Sequence, residues 1–299
     1  MTPTQLKSKV KNIAREKEVD PQLVLRHYMM EKFLEKIAES PYRDNFVLKG
    51  GFLIGSKYGI ENRTTKDIDA TFREMKLTEE VLTSVLDDIF LEPTKEGIQF
   101  EIKAIKETRE ADFYPGFSLR VLAHLENMRP DFKVDITTGY SIHPETVNHE
   151  HKLMFEDRTI HLESYPTEQI VAEKLSATFD FLTDNSRGKD FYDLYMIPKM
   201  EKIDDQTLME SVRNTFSKRG KTEPLKNYFQ ENMDLIKNSG DLRKTWDRYK
   251  EGNPYAAMIS YEDTMNSISN LMEKAIAVEE KGIKANKKRA KQKQNEIEF

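Results

Sequence analysis

The sequence predicts an α+β chain, with a mixed α/β front half and a helical back half. Three observations carry this. Apolar and polar residues alternate in Ile98/Phe100/Ile102, Phe117/Leu119/Val121 and Phe132/Val134/Ile136, which is the period of β-strands. After Pro166 the apolar spacing turns helical and mostly stays so to the tail. No apolar run exceeds a few residues, so no membrane-spanning helix is expected.

Each element has a local reason. Asp20-Pro21 starts a helix, with Asp as cap and Pro in the first turn. Leu25, Tyr28, Met29, Phe33 and Ile37 continue it at helical spacing up to Ser40-Pro41. Asn45 to Leu48 is a short strand ended by Gly50-Gly51, and FLIGSKY then suits a helix. Asp67 to Phe72 is a second strand. Leu77 to Phe90 is helical, with Val81, Val85, Leu86 and Ile89 on one side. A boundary is expected between His143 and Pro166, giving an α/β domain over 1–155 and a helical domain with a basic tail over 156–299.

Composition narrows the class of protein. The 299 residues include 52 acidic and 47 basic side chains, a net charge of −5. Charged residues are abundant, but 16 Phe and 12 Tyr suffice to build a core. There is no cysteine, which excludes disulfides, thiolate metal sites and a cysteine nucleophile. The N-terminal residues show no secretory signal. A soluble cytoplasmic protein is expected. Charge is uneven: Lys281 to Gln294 holds seven basic residues and no acidic one, so the remainder carries −12. Such a tail is either a polyanion contact or a solvated helix end, and no aromatic residue interleaves it for base stacking.

The segment Lys49 to Phe72, KGGFLIGSKYGIENRTTKDIDATF, carries the clearest chemistry. Asp67 and Asp69 alternate with Ile68, so both carboxylates project from one strand face. Two neighbouring carboxylates repel unless a cation lies between them, and Mg²⁺ suits a site of few carboxylates plus phosphate oxygens. Gly50-Gly51 allows close backbone approach, and the helix start after it offers free N–H groups to a phosphate. In FKVDITT, Asp135 lies on the polar side of another strand and can supply a third carboxylate, or simply face solvent.

A second segment, Glu168 to Tyr195, places Asp190 and Asp193 three apart on one helix. Arg187 and Lys189 stand at that helix's start, where the dipole disfavours cations unless an anion binds. That placement hints at phosphate binding; Lys174 on the preceding helix can instead simply pair with Asp190 or Asp193 between packed helices. His149-Glu150-His151 lacks a third zinc ligand at a usual spacing and reads as a polar loop. No Walker-type phosphate loop is present.

Taken in order, these motifs resemble the AbiEii/AbiGii-type nucleotidyltransferase toxins of abortive-infection and type IV toxin–antitoxin systems. The matching residues are Lys49-Gly50-Gly51, Arg63, Asp67-Ile68-Asp69, Ala172-Glu173-Lys174-Leu175 and Arg187 to Leu194, with Gly188 separating Arg187 from Lys189. The resemblance implies a polymerase-β-like nucleotidyltransferase core and a mostly helical C-terminal domain. It implies Mg²⁺ (or Mn²⁺) on Asp67 and Asp69, with Asp135 the least fixed ligand, and an NTP substrate near Gly50-Gly51. The turn is Gly-Gly where the wider nucleotidyltransferases have Gly-Ser, so backbone N–H groups and Lys49 or Arg63 must hold the phosphate. Lys174 is implied to contact nucleotide and Asp190 to act near the acceptor, with Arg187, Lys189 and Asp193 beside them. The activity implied is transfer of NMP to RNA, most simply the tRNA acceptor end, blocking translation. A separately encoded antitoxin, a DNA-binding regulator, is implied as partner. The alternatives are a small-molecule acceptor such as an antibiotic, and a non-catalytic nucleotide-binding protein.

Overall fold

The computed structural model describes residues 1–108, 116–138, 142 and 144–297. His143 and the side chains of Lys287, Arg289, Lys291 and Lys293 lie outside what is described. The chain divides into two compact units, Met1–Tyr165 and Pro166–Phe299.

The first unit opens with α1 (Pro3–Glu16), started by a capping box at Thr2 and Gln5. Its buried residues, Leu6, Val10 and Ala14, repeat every four positions. Helix α2 (Pro21–Ala38) begins as expected at Asp20, whose carboxylate accepts the Gln22 N–H at 2.8 Å. Then follow β1 (Phe46–Lys49), α3 (Gly50–Tyr58), β2 (Asp67–Phe72), α4 (Glu79–Phe90), β3 (Gln99–Glu107), β4 (Gly116–His124), β5 (Asp131–Thr138), β6 (Val147–Lys152) and β7 (Thr159–Ser164). Helix α4 starts later than Leu77 because the Thr78 hydroxyl caps it, accepting the Val81 N–H at 3.2 Å.

Seven strands form one sheet in the order β3-β4-β5-β2-β1-β7-β6. Strands β2 and β5 are parallel neighbours, as are β1 and β7; the remaining pairs are antiparallel. The alternation seen in the sequence separates the two faces. On one, Ile68, Ala70, Phe72, Leu119, Val121, Phe132, Val134 and Ile136 are buried. Phe33 of α2 packs there, stacked on Phe90 with centroids 4.4 Å apart and edge-on to Phe100 and Phe132. The other face carries Asp67, Asp69, Lys133, Asp135, Ser118 and Lys106.

A buried ionic cluster fixes α2 to the β6–β7 turn. Lys32, fully buried, bonds Glu35 at 2.8 Å, Glu96 at 3.1 Å and Glu156. Burial opposes its charge, but its hydrogen bonds to Glu156 and Glu35 outweigh that and hold its pKa above the ordinary lysine value.

The second unit is helical: α5 (Thr167–Phe181), α6 (Gly188–Met200), α7 (Asp205–Lys218), α8 (Leu225–Asn238), α9 (Gly240–Gly252) and α10 (Tyr261–Ile297). Its core includes Leu175, Phe179, Phe191, Leu194, Phe216, Trp246 and Met272. Among the described residues the last buried position on α10 is Ile276, and residues 281–286 are all exposed. Among the described residues no helix is long and apolar enough to cross a membrane.

Candidate active site

Strand register sets the polar side chains of the first unit in a row. Lys49 of β1 pairs with Asp69 of β2, Asp69 with Asp135 of β5, Asp135 with Ser118 of β4, and Ser118 with Lys106 of β3. Directly paired residues point to the same face, so the row reads Lys-Asp-Asp-Ser-Lys across five strands. Asp67 sits one pleat away on the same face and pairs with Lys133. Two carboxylates facing each other on adjacent strands destabilise a sheet unless something positive lies between them.

Hydrogen bonding within the row fits a cation. Lys133 reaches Oδ2 of Asp135 at 3.2 Å, but Oδ1 of Asp135 is buried with no hydrogen-bond partner among the described residues. A carboxylate oxygen in that state costs free energy that a metal ion or a donor recovers. At the end of the row, Nζ of Lys49 bonds Oγ1 of Thr137 at 3.0 Å and lies 5.3 Å from the Tyr165 ring centroid.

Helix α3 begins beside this row. Gly50 has φ +67°, in the left-handed region. A Cβ there would sit 2.1 Å from Oδ2 of Asp69, so only glycine lets that carboxylate lie against the turn. A Cβ on Gly51 would press on Thr65 at 2.9 Å and on the Arg63 guanidinium at 3.4 Å. Arg63 is itself buried, 5% exposed, and donates to the Thr64 carbonyl. Its place is therefore behind the glycine turn, which it shapes.

Among the described residues no three His, Cys, Asp or Glu side chains are grouped to hold a metal ion. Asp67, Asp69 and Asp135 thus share a face without forming a closed cage.

The later motif lies in the second unit. Nζ of Lys174 on α5 is 2.7 Å from Oδ1 of Asp190 and 2.7 Å from Oδ2 of Asp193, both on α6. Asp190 and Asp193 are buried, at 6% and 0% side-chain exposure, and Lys174 is nearly so, at 11%. Of the two roles open to Lys174 from its sequence, the geometry contains the pairing between packed helices. One lysine thus faces two aspartates. Arg187 and Lys189 are exposed at the start of α6, and the Arg187 guanidinium lies 5.3 Å from the Phe181 ring centroid. Gly188 is fixed by packing: a Cβ would meet Tyr249 at 2.6 Å.

His149-Glu150-His151 is not a loop. It lies in β6, an edge strand, where Ser56 and Glu31 bond its histidines. Little in the sequence signals this, because β6 (VNHEHK) has no apolar alternation and buries only His151.

The sequence match places the chain in a class of enzymes, the nucleotidyltransferases. The family model described as "Nucleotidyl transferase AbiEii toxin, Type IV TA system" matches residues 32–274, and the chain belongs to that family. A type IV system pairs such a toxin with a cognate antitoxin, and the enzyme class uses an NTP. No curated protein matches the chain. Among solved structures it is similar to the Helicobacter pylori protein JHP933, at 14% identity and TM-score 0.46, covering 90% of this chain and 99% of that one. It is also similar to an antigenic nucleotidyltransferase-like protein from Paracoccidioides brasiliensis, at 15% identity and TM-score 0.40, covering 69% and 92%.

Proposed function

We propose that the chain transfers NMP from an NTP to RNA, at the acceptor end of tRNA, and so blocks translation during phage abortive infection. The observation that carries the site is the direct pairing of Asp69 with Asp135 beside the glycine turn of α3. In this reading Asp67 and Asp69 hold Mg²⁺ or Mn²⁺, and Asp135 offers its unpartnered oxygen. The ion supplies charge neutralisation for the triphosphate and acidifies the attacking hydroxyl.

The chain's own groups do the rest. The free N–H groups at the start of α3 receive phosphate oxygens, as helix N-termini do. Lys49, one strand from Asp69, adds a positive charge at that end of the row. Arg63 acts by holding the Gly50-Gly51 turn in shape. From the motif match, Lys174 contacts nucleotide, Asp190 acts near the acceptor, and Asp193 holds Lys174 in place. Arg187 and Lys189 meet phosphate, which offsets their unfavourable place at a helix start. The basic end of α10, with Lys281, Lys284 and Lys288 exposed at i, i+3 and i+7, favours a polyanionic acceptor over a small molecule. The antitoxin is a DNA-binding regulator encoded beside the toxin.

The test is incubation with each α-labelled NTP, Mg²⁺ and total tRNA. One or more NTPs should label tRNA, and Asp69→Ala should not. Label appearing only on a small molecule, or nowhere, overturns the RNA assignment.

A further inference from the structure

Among the described residues the His149-Glu150-His151 segment joins no group that could hold a metal ion, yet it anchors a hydrogen-bond chain outside the carboxylate row. Oγ of Ser56, on α3, lies 2.6 Å from Nδ1 of His151 and 2.7 Å from Nε2 of His149. Nε2 of His151 lies 2.9 Å from Oε2 of Glu31, which also accepts the Met154 N–H at 2.8 Å. Glu31 and His151 are buried, 1% and 5% exposed, whereas Ser56 and His149 are half-buried. Because β6 is an edge strand, the half-buried end of the chain lies at the margin of the sheet.

Hydrogen counting gives the chain a direction. Oε2 of Glu31 already accepts from Met154, so Nε2 of His151 is the donor to it. If His151 is neutral, its Nδ1 is bare, and Ser56 donates to it while accepting from His149. If His151 is an imidazolium, Ser56 accepts from Nδ1–H and gives its own hydrogen to Nε2 of His149. Burial, with His151 and Lys57 nearby, holds the His149 pKa down to about 4, so that ring stays neutral at pH 7. In both patterns the single proton of Ser56 rests against an imidazole nitrogen. A hydroxyl on an imidazole backed by a carboxylate is the arrangement that activates serine nucleophiles.

We propose that Ser56 is a nucleophile and a self-modification site, accepting a nucleotidyl group from an NTP bound by a second copy of this chain. The inference rests on the nucleotidyl-transfer activity proposed above. Oγ of Ser56 forms a bond to the α-phosphorus, the bond from that phosphorus to the bridging oxygen breaks, and pyrophosphate leaves. The serine proton passes to Nδ1 of neutral His151, whose Nε2–H is held by Glu31. No oxidant or further reactant is needed. The donor is a second copy because Ser56 stands six residues along α3 from Gly50, about 9 Å at the helical rise. That is too far for its oxygen to reach an α-phosphate held at the glycine turn of the same molecule.

The experiment incubates the full chain with α-labelled NTPs, Mg²⁺ and total tRNA, and follows label on protein and RNA separately. Wild type should acquire one nucleotidyl group on the Ser56 peptide, read by mass spectrometry. Ser56→Ala should lose at least tenfold of the protein label and keep the RNA label. His149→Gln, which leaves the His151–Glu31 pair in place, should slow protein labelling severalfold. Asp69→Ala protein, unable to transfer, should become labelled when mixed with Ser56→Ala protein. Labelled RNA with unlabelled protein, or label on another residue, overturns the Ser56 assignment alone. Label on neither RNA nor protein overturns the transfer reading, and this inference with it.

Discussion

Two acidic clusters in this chain differ in how their charge is met. On the sheet face, Asp69 and Asp135 stand side by side, and Oδ1 of Asp135 has no partner among the described residues. In the helical unit, Asp190 and Asp193 are more deeply buried, and Lys174 bonds both at 2.7 Å. The first arrangement sets like charges against each other; the second is internally paired. Removing a carboxylate should therefore harm function more than folding on the sheet, and removing the lysine should harm folding in the helices.

The largest expected effect is on the sheet. Asp69→Ala or Asp67→Ala should lower transfer by about 10³-fold, roughly 4 kcal/mol of transition-state stabilisation. The melting temperature should hold or rise slightly, because a repulsion is removed. Equal activity in both variants and wild type would break the comparison on this side.

Lys174→Ala tests the other side. It leaves two buried carboxylates without their ammonium, a change that typically costs about 3–5 kcal/mol of stability. Chemical denaturation should show that loss. Transfer should fall as well, because Lys174 is also proposed to contact nucleotide, and a fully stable Lys174→Ala protein would break the comparison on this side. Gly50→Ala sharpens the sheet side, since it combines a left-handed φ with a Cβ 2.1 Å from Oδ2 of Asp69. We expect about 1–2 kcal/mol of lost stability from the backbone alone. Transfer should fall too, as the displaced carboxylate leaves its place. An active Gly50→Ala protein would separate the turn from the site.

The fold is legible in the sequence where periodicity and turns agree. The Asp20-Pro21 start, the β1–α3–β2 segment and the alternating strands β3, β4 and β5 all follow from local pattern. Helix α1 escapes such a reading because it buries only Leu6, Val10 and Ala14 among many polar residues. Strand β6 escapes it because it buries a histidine and not an aliphatic residue, whereas Ile160 and Leu162 of β7 do alternate; the first unit runs on through both to Tyr165. At the site, the spacing of Asp67 and Asp69 places them on one face. It does not reveal the neighbour of Asp69, because the parallel pairing of β2 with β5 joins distant parts of the chain. Arg63 reads as a phosphate ligand by position, and only packing shows it buried behind Gly51.

Smaller effects follow from titration. Burial, then the nearby His151, lowers His27 to about 3, and burial chiefly lowers His149 to about 4. Both histidines therefore bind fewer protons folded than unfolded between these values and about 6.5. Stability should fall as pH drops from about 6.5, by on the order of 1 kcal/mol per pH unit per histidine. Burial opposes the Glu156 charge, but Lys32 and Arg158 outweigh it and lower its pKa to about 2. Its contribution is complete above about pH 4.5 and fades from there down to about 2. Urea midpoints at pH 7, 5.5 and 4 would show the decline, and a flat profile to pH 4 would contradict the burial of both histidines. Least of all is the tail. Ending the chain after Glu280 should flatten the salt dependence of tRNA binding, by roughly 0.7 in log–log slope for each single-strand phosphate that the tail neutralises. NTP binding should not change. An unaltered slope would make the tail a solvated helix end.

The claim that the sheet-face carboxylates hold the metal–nucleotide complex is tested most directly by counting bound Mn²⁺. Titrating Mn²⁺ into the protein with a non-hydrolysable NTP, and reading free ion by electron paramagnetic resonance, should give saturable binding in wild type. Asp69→Asn should lose at least one bound ion or weaken it tenfold or more, at unchanged melting temperature. Identical stoichiometry and affinity in the two proteins would contradict that claim.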